Sequence, residues 1–455
     1  MSLKDYIPAQ NRGLRIEGLL IFEIGMDGRC GVDLPAPSSA PDRLDGLRRD
    51  APVGLPGLSE PQVVLHFTRL SQNNYAIDAG IYPLGSCTMK HSPRLNEVLA
   101  RLPGCAQFHP LQPLSTVQGA LGLMDVLARW LKTLCGMPAI TLAPAAGAHG
   151  ELCGNMVIRA ALNARGDARK VVLVPASTHG TNPATAAIHD AGTLFYCDGA
   201  NFNAIAGRVR PGDLGIDCMH LNLHKTFSMP HGGGGPGSGP VVLSAELGPY
   251  APIPWLVHGA DGFGLMEQAE GEAARSIGQL KAFLGQFGMF VRALAFMMSH
   301  GADCLRQASE YAVLSANYVR AWLEDVMSLP YKGPYMHEVL FDEGFLKDTG
   351  VTTLDFAKAM IDAGIHPMTM YIPLVVHSAL LIEATESESC HSLDSFIQLM
   401  RDLVKKAQAG DADIFHAASV NAPRRRFDET EAARHPILRW RPDDEISAVA
   451  KQSAG

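Results

Sequence analysis

The spacing of apolar residues predicts several long helices, each with one buried face. Between Gly119 and Gly136, apolar side chains recur every three or four residues, which is the period of an amphipathic helix. Helices are also expected over Glu151–Arg165, within Arg275–His300 and over Leu305–Met327. The aromatic residues on one side of the last helix are expected to lie in the core; they are Tyr311, Tyr318 and Trp322.

Short apolar runs between the helices predict strands. Lys170–Pro175 is rich in valine and leucine, Thr193–Asn201 contains an acid followed by a glycine turn, and Ile216–Leu223 places apolar residues beside polar ones. Strands that alternate with helices favour an α/β fold with a mostly parallel sheet and helices on both faces. Such sheets bind ligands at the carboxyl ends of their strands.

The pattern changes to α+β toward the C-terminus. A helix over Leu354–Ala363, a strand over Tyr371–Val376 and a helix over Leu393–Lys406 suit a small domain that covers the crevice of the larger one. The predicted divisions are an N-terminal arm over residues 1–75, a large domain over 76–300 and a smaller C-terminal α+β domain over 301–455.

Composition limits the class of protein. Hydrophobic residues make up 47% of the chain and charged residues 18%, as in ordinary globular proteins. The net charge of −8 gives no general reason to bind nucleic acid or anionic membranes. Nine scattered cysteines without a CxxC pair favour reduced thiols in the cytoplasm. The sequence shows no secretory signal, no membrane-spanning apolar run and no metal-ligand spacing, so we predict no metal site.

Candidate chemistry concentrates around Lys225. This lysine follows the strand predicted over Ile216–Leu223 and precedes the glycines at 232–235, which exclude regular structure. A lysine at a strand end, beside His224 and a glycine-rich loop, is placed to act as a nucleophilic amine. Schiff-base formation with pyridoxal phosphate is the leading use of such a lysine. A solvated surface lysine is the simpler alternative.

Two further stretches carry residues that this cofactor needs. Asp198 could pair with a pyridinium nitrogen, although turn aspartates often hydrogen-bond their own backbone. The small residues from Ala145 to Ala148 lead into a predicted helix, whose N-terminal N–H groups could hold a phosphate. Many tight turns share this second pattern.

Together these stretches resemble the glycine decarboxylase P-protein in its two-subunit form, and in particular the lysine-bearing second subunit. The resemblance runs from end to end of the chain, and the run around Lys225 is highly specific. Its motifs lie at Leu20–Gly25, Tyr82–Lys90, His109–Pro113, Pro144–Glu151, His179–Ala184, Asp198–Ala204, Asn222–Gly237, His366–Pro367 with Tyr371, and Glu383 with Thr385–Glu386.

The resemblance implies the fold-type-I architecture of pyridoxal-phosphate-dependent transferases and gives roles to single residues. Lys225 would bind the cofactor covalently, and His224 would tune the lysine or shuttle protons, unless it makes only a structural hydrogen bond. In related decarboxylases a histidine at the position of His179 stacks on the pyridine ring. The implied cofactor-binding residues are Lys225, Asp198, His179, Ala146, Gly147, Ala148 and Asn201. Further candidate pocket residues are Ser86, Thr88 and Lys90.

The implied reaction is decarboxylation of glycine, with transfer of the remaining aminomethyl group to the lipoyl arm of H-protein. The implied partners are the first P-protein subunit, in a heterotetramer of two plus two, and lipoylated H-protein. The implied location is the cytoplasm.

The chain departs from this family near residues 187–188. Several dozen residues, which include a strand, normally separate the motif at His179–Ala184 from the strand that bears Asp198. Loss of a central strand should leave neighbouring backbone groups unpaired unless the sheet closes the gap. Two alternatives therefore stay open: an inactive or structural pseudo-subunit, and another pyridoxal-phosphate enzyme acting on amino acids, either a decarboxylase or an aminotransferase.

Overall fold

The computed structural model describes residues 19–35, 41, 43–44, 46–51, 53–167, 169, 173, 193–230, 237–422 and 425–440. Four expectations lie outside these ranges, apart from Leu173 in the first of them: the strand over Lys170–Pro175, the irregular glycine run at 232–235, the position of His179 and the shortening near 187–188.

Helices and short strands follow one another along the described ranges. The helices are α1 (Ile21–Ile24), α2 (Glu60–Gln72), α3 (Arg94–Ala100), α4 (Pro103–Ala106), α5 (Gln118–Cys135), α6 (Gly147–Ala164), α7 (Leu223–Thr226), α8 (Phe287–Leu323), α9 (Thr353–Asp362), α10 (Cys390–Gln408), α11 (Ala412–Ala417) and α12 (Glu429–Arg434). The strands are β1 (Ala139–Thr141), β2 (Tyr196–Gly199), β3 (Cys218–Leu221), β4 (Val241–Leu243), β5 (Trp255–Gly259), β6 (Gly262–Met266), β7 (Glu338–Phe341), β8 (Thr369–Met370) and β9 (Leu380–Glu383).

The central sheet of the large domain has the strand order β1-β4-β3-β2 in the described part of the chain. Strands β2 and β3 are parallel, whereas β4 is antiparallel to both of its neighbours. Every residue of β3 is buried, as expected for a strand covered on both faces. The predicted α/β class is confirmed, and these four strands form a mixed sheet.

The predicted helices are present, with shifted ends. α5 occupies the predicted range and ends at Gly136, whose φ of +68° suits glycine. α6 begins at Gly147, four residues before the predicted start, so the small residues lie in its first turn. The helix expected from Arg275 starts only at Phe287, because Gly278 and Gly285 adopt positive φ values in the preceding segment.

α8 joins two predicted helices across Gly301, which has φ of +65°. The expectation that the aromatic residues of its second half lie in the core is wrong for Tyr311 and Trp322, which are each 54% exposed, whereas Tyr318 is half-buried and packs against the core. The buried side carries smaller residues, which let the helix approach its neighbours closely. These residues are Leu305, Ala312, Ala316, Val319 and Leu323.

Two hydrophobic cores lie along α8. One packs α5, β3 and the first half of α8, and the other packs the end of α8 against β7, β9 and α10. The second core contains a three-stranded antiparallel sheet in the order β7-β9-β8. The strand expected over Tyr371–Val376 is absent from this described segment, because Tyr371 has a φ of +64° and Pro373 lacks the N–H needed for a ladder.

Candidate active site

Lys225 lies on α7, the single helical turn that directly follows the buried strand β3. Its Nζ donates to the backbone oxygen of Ser86 at 2.5 Å and to Oδ1 of Asn201 at 2.7 Å. The amine is therefore held by acceptors from two other segments, the loop before α3 and the turn after β2. A solvated surface lysine would show no such arrangement.

Asp198 lies on β2, opposite His220 in the parallel pair with β3. Its side chain is 43% exposed, and Oδ1 accepts a hydrogen bond from the N–H of Ala200 at 2.8 Å. The same oxygen lies 3.3 Å from Nε2 of His220. Asp198 thus accepts the expected turn hydrogen bond from the backbone N–H of Ala200 and also lies next to the His220 ring.

His220 is a site residue that the sequence motifs did not reveal. Burial lowers its pKa, so the imidazole is neutral at pH 7. The hydroxyl of Tyr196, whose pKa burial raises, lies 2.5 Å from Nδ1 of His220. If the hydroxyl donates to Nδ1, the remaining ring proton sits on Nε2 and points to Asp198. An acid, a histidine and a tyrosine then form one hydrogen-bonded line across β2 and β3.

The N-terminal turn of α6 meets α7. Ala146 is the N-cap and provides no side-chain cap, and Gly147 and Ala148 form the first turn. A Cβ on Gly147 would lie 2.6 Å from Oδ1 of Asn222, the N-cap residue of α7. This Oδ1 is buried and has no hydrogen-bond partner among the described residues. The first-turn N–H groups of α6 are thus brought to the turn that bears Lys225.

His224, which precedes the lysine, accepts a hydrogen bond at Nδ1 from the N–H of Ser238 at 3.2 Å. A Cβ on Gly237 would lie 3.2 Å from the same ring. The structural role considered for His224 is therefore visible, since the ring fixes the start of the segment leading to β4. Its role in proton transfer stays a prediction.

Lys90 contributes a second buried amine, on the far side of α7. Its Nζ lies 2.7 Å from the backbone oxygen of Thr226 and 2.6 Å from Oε1 of Glu386. The Lys90 side chain is only 3% exposed and the Glu386 side chain 12%. Lys90 thus links α7 to the segment that follows β9.

His337, Glu338 and Glu383 form a cluster at the paired strands β7 and β9. Each offers one ligand atom, and these atoms lie within 4.8 Å of one another, a spacing that could hold a metal ion. The sequence led us to expect no metal site, because the cluster is assembled from two strands rather than from one motif. Its sequence signals were the motif that contains Glu383 and an acid at the end of each apolar run, Glu338 before Val339 and Glu383 after Ile382.

The described residues fit pyridoxal phosphate. The first turn of α6 has uncapped N–H groups, and a buried amide oxygen without a partner in the described ranges lies beside them. An amine held by backbone and amide oxygens stands on the neighbouring turn, and Asn201 joins it to the strand of Asp198. Of the predicted cofactor residues, His179 lies outside the described ranges, and the others are brought to one end of the central sheet.

Comparison with known proteins gives closely similar relatives over nearly the whole chain. A family model described as glycine dehydrogenase, C-terminal domain, matches residues 308–424. A probable glycine dehydrogenase (decarboxylating) subunit 2 from Caulobacter vibrioides is 58% identical over 489 residues, covering 95% of this chain and 93% of its own. The Thermotoga maritima protein of the same name is 42% identical over 482 residues, covering 93% of this chain and 100% of its own.

Both matched regions are longer than the 455 residues of this chain. The relatives therefore contain residues that have no counterpart here. This agrees with a chain that is shorter than its family, and the position near 187–188 stays a prediction.

Solved structures share the fold. A glycine decarboxylase P-protein in inhibitor-bound form superposes with a TM-score of 0.65 and 19% identity, covering 80% of this chain and 93% of that chain. A sphingosine-1-phosphate lyase from Burkholderia pseudomallei superposes with a TM-score of 0.55 and 12% identity, covering 81% and 96%. The fold is that of the fold-type-I pyridoxal-phosphate enzymes. At the sequence level, the chain belongs to the family of glycine dehydrogenase (decarboxylating) subunit 2.

Proposed function

We propose that the chain is the cofactor-bearing subunit of a glycine dehydrogenase that decarboxylates glycine in the glycine cleavage system, with pyridoxal phosphate bound to Lys225. The observation that carries this proposal is the setting of Lys225, whose amine is aimed by Ser86 and Asn201 at the carboxyl end of the central sheet. Membership of the subunit 2 family supports the choice of glycine as substrate.

Each described residue has a proposed task. The first turn of α6, from Ala146 to Ala148, would hold the phosphate through backbone N–H groups and the helix dipole. Asp198 would hold a proton on the ring nitrogen, with His220 fixing the carboxylate. When bound, pyridoxal phosphate supplies an electron sink for the carbon that loses carbon dioxide. Stacking by His179 remains part of the proposal without structural support.

The small side chains of α6 have a physical purpose in this proposal. A phosphate bound by backbone N–H groups needs close approach to the helix start, which a bulky side chain would block. Asn222 closes the other side, because its side chain lies against Gly147. Asn201 orients the Lys225 amine from the turn after β2.

We propose subunit 1 as the partner, in a heterotetramer of two plus two, and lipoylated H-protein as the acceptor of the aminomethyl group. The N-terminal arm, residues 1–75, carries several exposed leucines, and this exposure supports the proposal of a large protein interface. Leu34 is 79% exposed, Leu47 86% and Leu55 77%. Native mass spectrometry of the two subunits expressed together tests the stoichiometry directly.

We propose the cytoplasm as the location. All nine cysteines are free thiols in the structure, and five of them are exposed or half-buried, which suits a reducing compartment. In the part of the chain that the structure describes, none of the helices combines the length and apolarity that a membrane crossing requires.

The rival hypotheses have less support. The pseudo-subunit hypothesis does not explain why the lysine, its two acceptors and the uncapped start of α6 lie together. Another amino-acid decarboxylase or aminotransferase disagrees with the high identity to glycine dehydrogenases along 95% of the chain.

The test is release of labelled carbon dioxide from carboxyl-labelled glycine by the chain with subunit 1 and lipoylated H-protein. We expect release that depends on glycine and stops in Lys225→Ala, because the amine that binds the cofactor is gone. Release from other amino acids but not from glycine would favour a different decarboxylase. A folded complex without release from any amino acid would favour the pseudo-subunit.

A further inference from the structure

A cavity of about 460 Å³ lies between α5, β1 and the segment that leads into β5. This volume is in the range of small-molecule sites, which is about 300–1,000 Å³. Of the described residues, those of α7 and of the turn after β2 do not line the cavity, so it is separate from the candidate active site. The chain therefore offers a second place for a small molecule.

Most of the cavity wall is apolar. Met124 and Ala128 contribute to it from α5, and Ile140 contributes from β1. Trp255, the first residue of β5, adds an aromatic ring, whose N–H donates to the backbone oxygen of Ala251 at 3.1 Å. Because that N–H has its partner, the ring needs no polar group from a ligand. An apolar side chain of a ligand would therefore be removed from water in this cavity.

β1 forms one edge of the central sheet in the part of the chain that the structure describes. It pairs with β4 on one side, and no described strand pairs with it on the other. All three of its residues, Ala139, Ile140 and Thr141, line the cavity. Since successive side chains of a strand point to opposite faces, a cavity lined by all three lies along the edge of the strand. The backbone N–H and C=O groups of such an edge can bond the polar groups of a ligand.

Four charged side chains line the cavity, two of them basic and two acidic. Nε of Arg129 lies 2.8 Å from Oδ2 of Asp125, so these two charges neutralise each other. Lys132 and Glu272 form no ion pair within 4.0 Å, either with each other or with another described residue. Lys132 is half-buried in the last turn of α5, and Glu272 is exposed. The cavity thus has one basic and one acidic side chain that are available to a ligand.

We propose that this cavity binds an α-amino acid with an apolar side chain, at a site distinct from the active site. The ligand carboxylate pairs with Lys132, its ammonium group pairs with Glu272, and its side chain lies against Trp255. A ligand that carries both charges gives a partner to each of the two side chains, whereas a simple anion or cation leaves one of them unpaired. Glycine, the proposed substrate, has no side chain for the apolar walls, so this ligand differs from the substrate of the active site.

Isothermal titration calorimetry of the full-length chain with L-norleucine tests the site. Hexanoate has the same carbon chain without the amine, and pentylamine resembles norleucine without the carboxylate. We expect norleucine to bind with a Kd below about 1 mM and each analogue to bind at least about tenfold more weakly, because each leaves one charged side chain unpaired. Glycine should not displace norleucine. Undetectable binding of norleucine, equal binding of either analogue, or displacement by glycine would overturn the proposal.

Substitution of the two charged residues tests their assignment. Lys132→Gln should weaken norleucine binding about tenfold, because it removes a charge-assisted contact with the carboxylate. Glu272→Gln should weaken binding about threefold, since water screens this exposed group. Lys405→Gln is the matched control, because it removes an exposed lysine from the last turn of α10 and should leave the affinity unchanged. Equal affinities of Lys132→Gln and Lys405→Gln would contradict the proposal.

The same titration of the complex with subunit 1 distinguishes a ligand site from a contact between subunits. Norleucine should bind the complex and the free chain alike, and loss of binding in the complex would overturn the proposal and assign the cavity to the subunit interface. Lys225→Ala should keep full affinity for norleucine, because Lys225 is not among the described residues that line the cavity.

Norleucine binding and glycine decarboxylation can fail separately. A chain that binds norleucine but releases no carbon dioxide from glycine would retain this site and lose the proposed function. A chain that decarboxylates glycine without binding norleucine would do the reverse.

Discussion

The hydrogen-bond partners of the Lys225 amine are remote from it in sequence. Ser86 lies on the loop before α3, Asn201 follows β2, and both bond the same amine. Ser86 in turn donates its N–H to Glu338 on β7. Single side chains determine the protonation state and the orientation of the reactive groups. Two predictions therefore concern single substitutions.

The first residue-scale prediction concerns Glu383. Its pKa is raised in the folded chain, so unfolding above about pH 4.3 releases a proton, and this contribution to stability is lost as the pH rises toward the folded pKa. Between about pH 5 and pH 7, the free energy of unfolding of the wild type should fall relative to Glu383→Gln by up to about 1.4 kcal/mol per pH unit. Urea unfolding at several pH values measures this slope.

The control for that experiment is Glu60→Gln, which removes a carboxylate from the exposed start of α2. A difference between wild type and Glu383→Gln that stays constant across the pH range would contradict a raised pKa at Glu383.

The second residue-scale prediction concerns Tyr196→Phe. The hydroxyl lies 2.5 Å from Nδ1 of the buried His220, and its removal leaves a buried ring nitrogen without this partner. We expect a loss of about 1–3 kcal/mol in the free energy of unfolding. Tyr318→Phe, which removes an exposed hydroxyl bonded to Asp394, should cost clearly less than Tyr196→Phe. Equal losses in the two variants would show that Tyr196 does not support His220.

At the scale of elements, the start of α6 is the feature most sensitive to added volume. The helix begins on Gly147, whose missing Cβ makes room for the side chain of Asn222 at the start of α7. The same close approach joins the proposed phosphate-binding turn to the lysine turn. A methyl group at this point should therefore disturb binding more than folding.

Gly147→Ala should weaken pyridoxal phosphate binding at least tenfold, because the new Cβ would lie 2.6 Å from Oδ1 of Asn222 and displace this buried side chain at the proposed phosphate-binding turn. Gly119→Ala in the first turn of α5 is the matched control, since no atom lies within 4 Å of its added Cβ. That control should bind normally and gain up to about 1 kcal/mol of stability. Fluorescence titration with the cofactor measures the affinities, and equal binding by both variants would refute the assignment of this turn.

The sequence predicted the elements that local periodicity determines. α5, α9 and α10 lie within a few residues of their predicted ranges, because each has a clear apolar stripe. The aromatic side of α8 was misplaced, since small residues such as Ala312 and Ala316 make the buried contacts. Strands β7 and β9 were not predicted, because four-residue apolar runs resemble helix segments.

For the site as well, the sequence predicted the residues that belong to local patterns. Lys225, Asp198 and the small residues of α6 belong to motifs that are continuous in sequence, and the structure brings them to one end of the sheet. His220 and the pair of Glu338 with Glu383 become recognisable as site residues only through their partners on other strands. Cross-strand register of this kind depends on tertiary pairing, which one-dimensional patterns do not contain.

At the scale of the whole molecule, two cores lie along α8, and hydrogen bonds at the site join elements of both. The loop that bears Ser86 packs with the core of β7 and β9, and Lys225 on α7 donates to it. Lys90 bonds both Thr226 of α7 and Glu386, which follows β9. The relative position of the two cores should therefore matter for the lysine.

Lys90→Met should lower the free energy of unfolding by about 3–5 kcal/mol, because it leaves the mostly buried Glu386 without its cation. Adding Glu386→Gln should recover part of this loss, and the double-mutant cycle should give a coupling above about 1 kcal/mol. Arg129→Met, which breaks an exposed pair with Asp125, should cost less than about 1 kcal/mol. An additive cycle for Lys90 and Glu386 would show that this pair does not join the two segments.

The central claim is that this chain, although shorter than its relatives, builds a cofactor site around Lys225. The most direct measurement is an absorbance spectrum of the purified chain with pyridoxal phosphate, followed by borohydride reduction and peptide mapping. We predict a visible-range band and a reduced adduct on Lys225, both lost in Lys225→Ala. A folded, soluble chain without a band would contradict this claim, as would an adduct on another lysine. The absence of a band would favour the pseudo-subunit hypothesis.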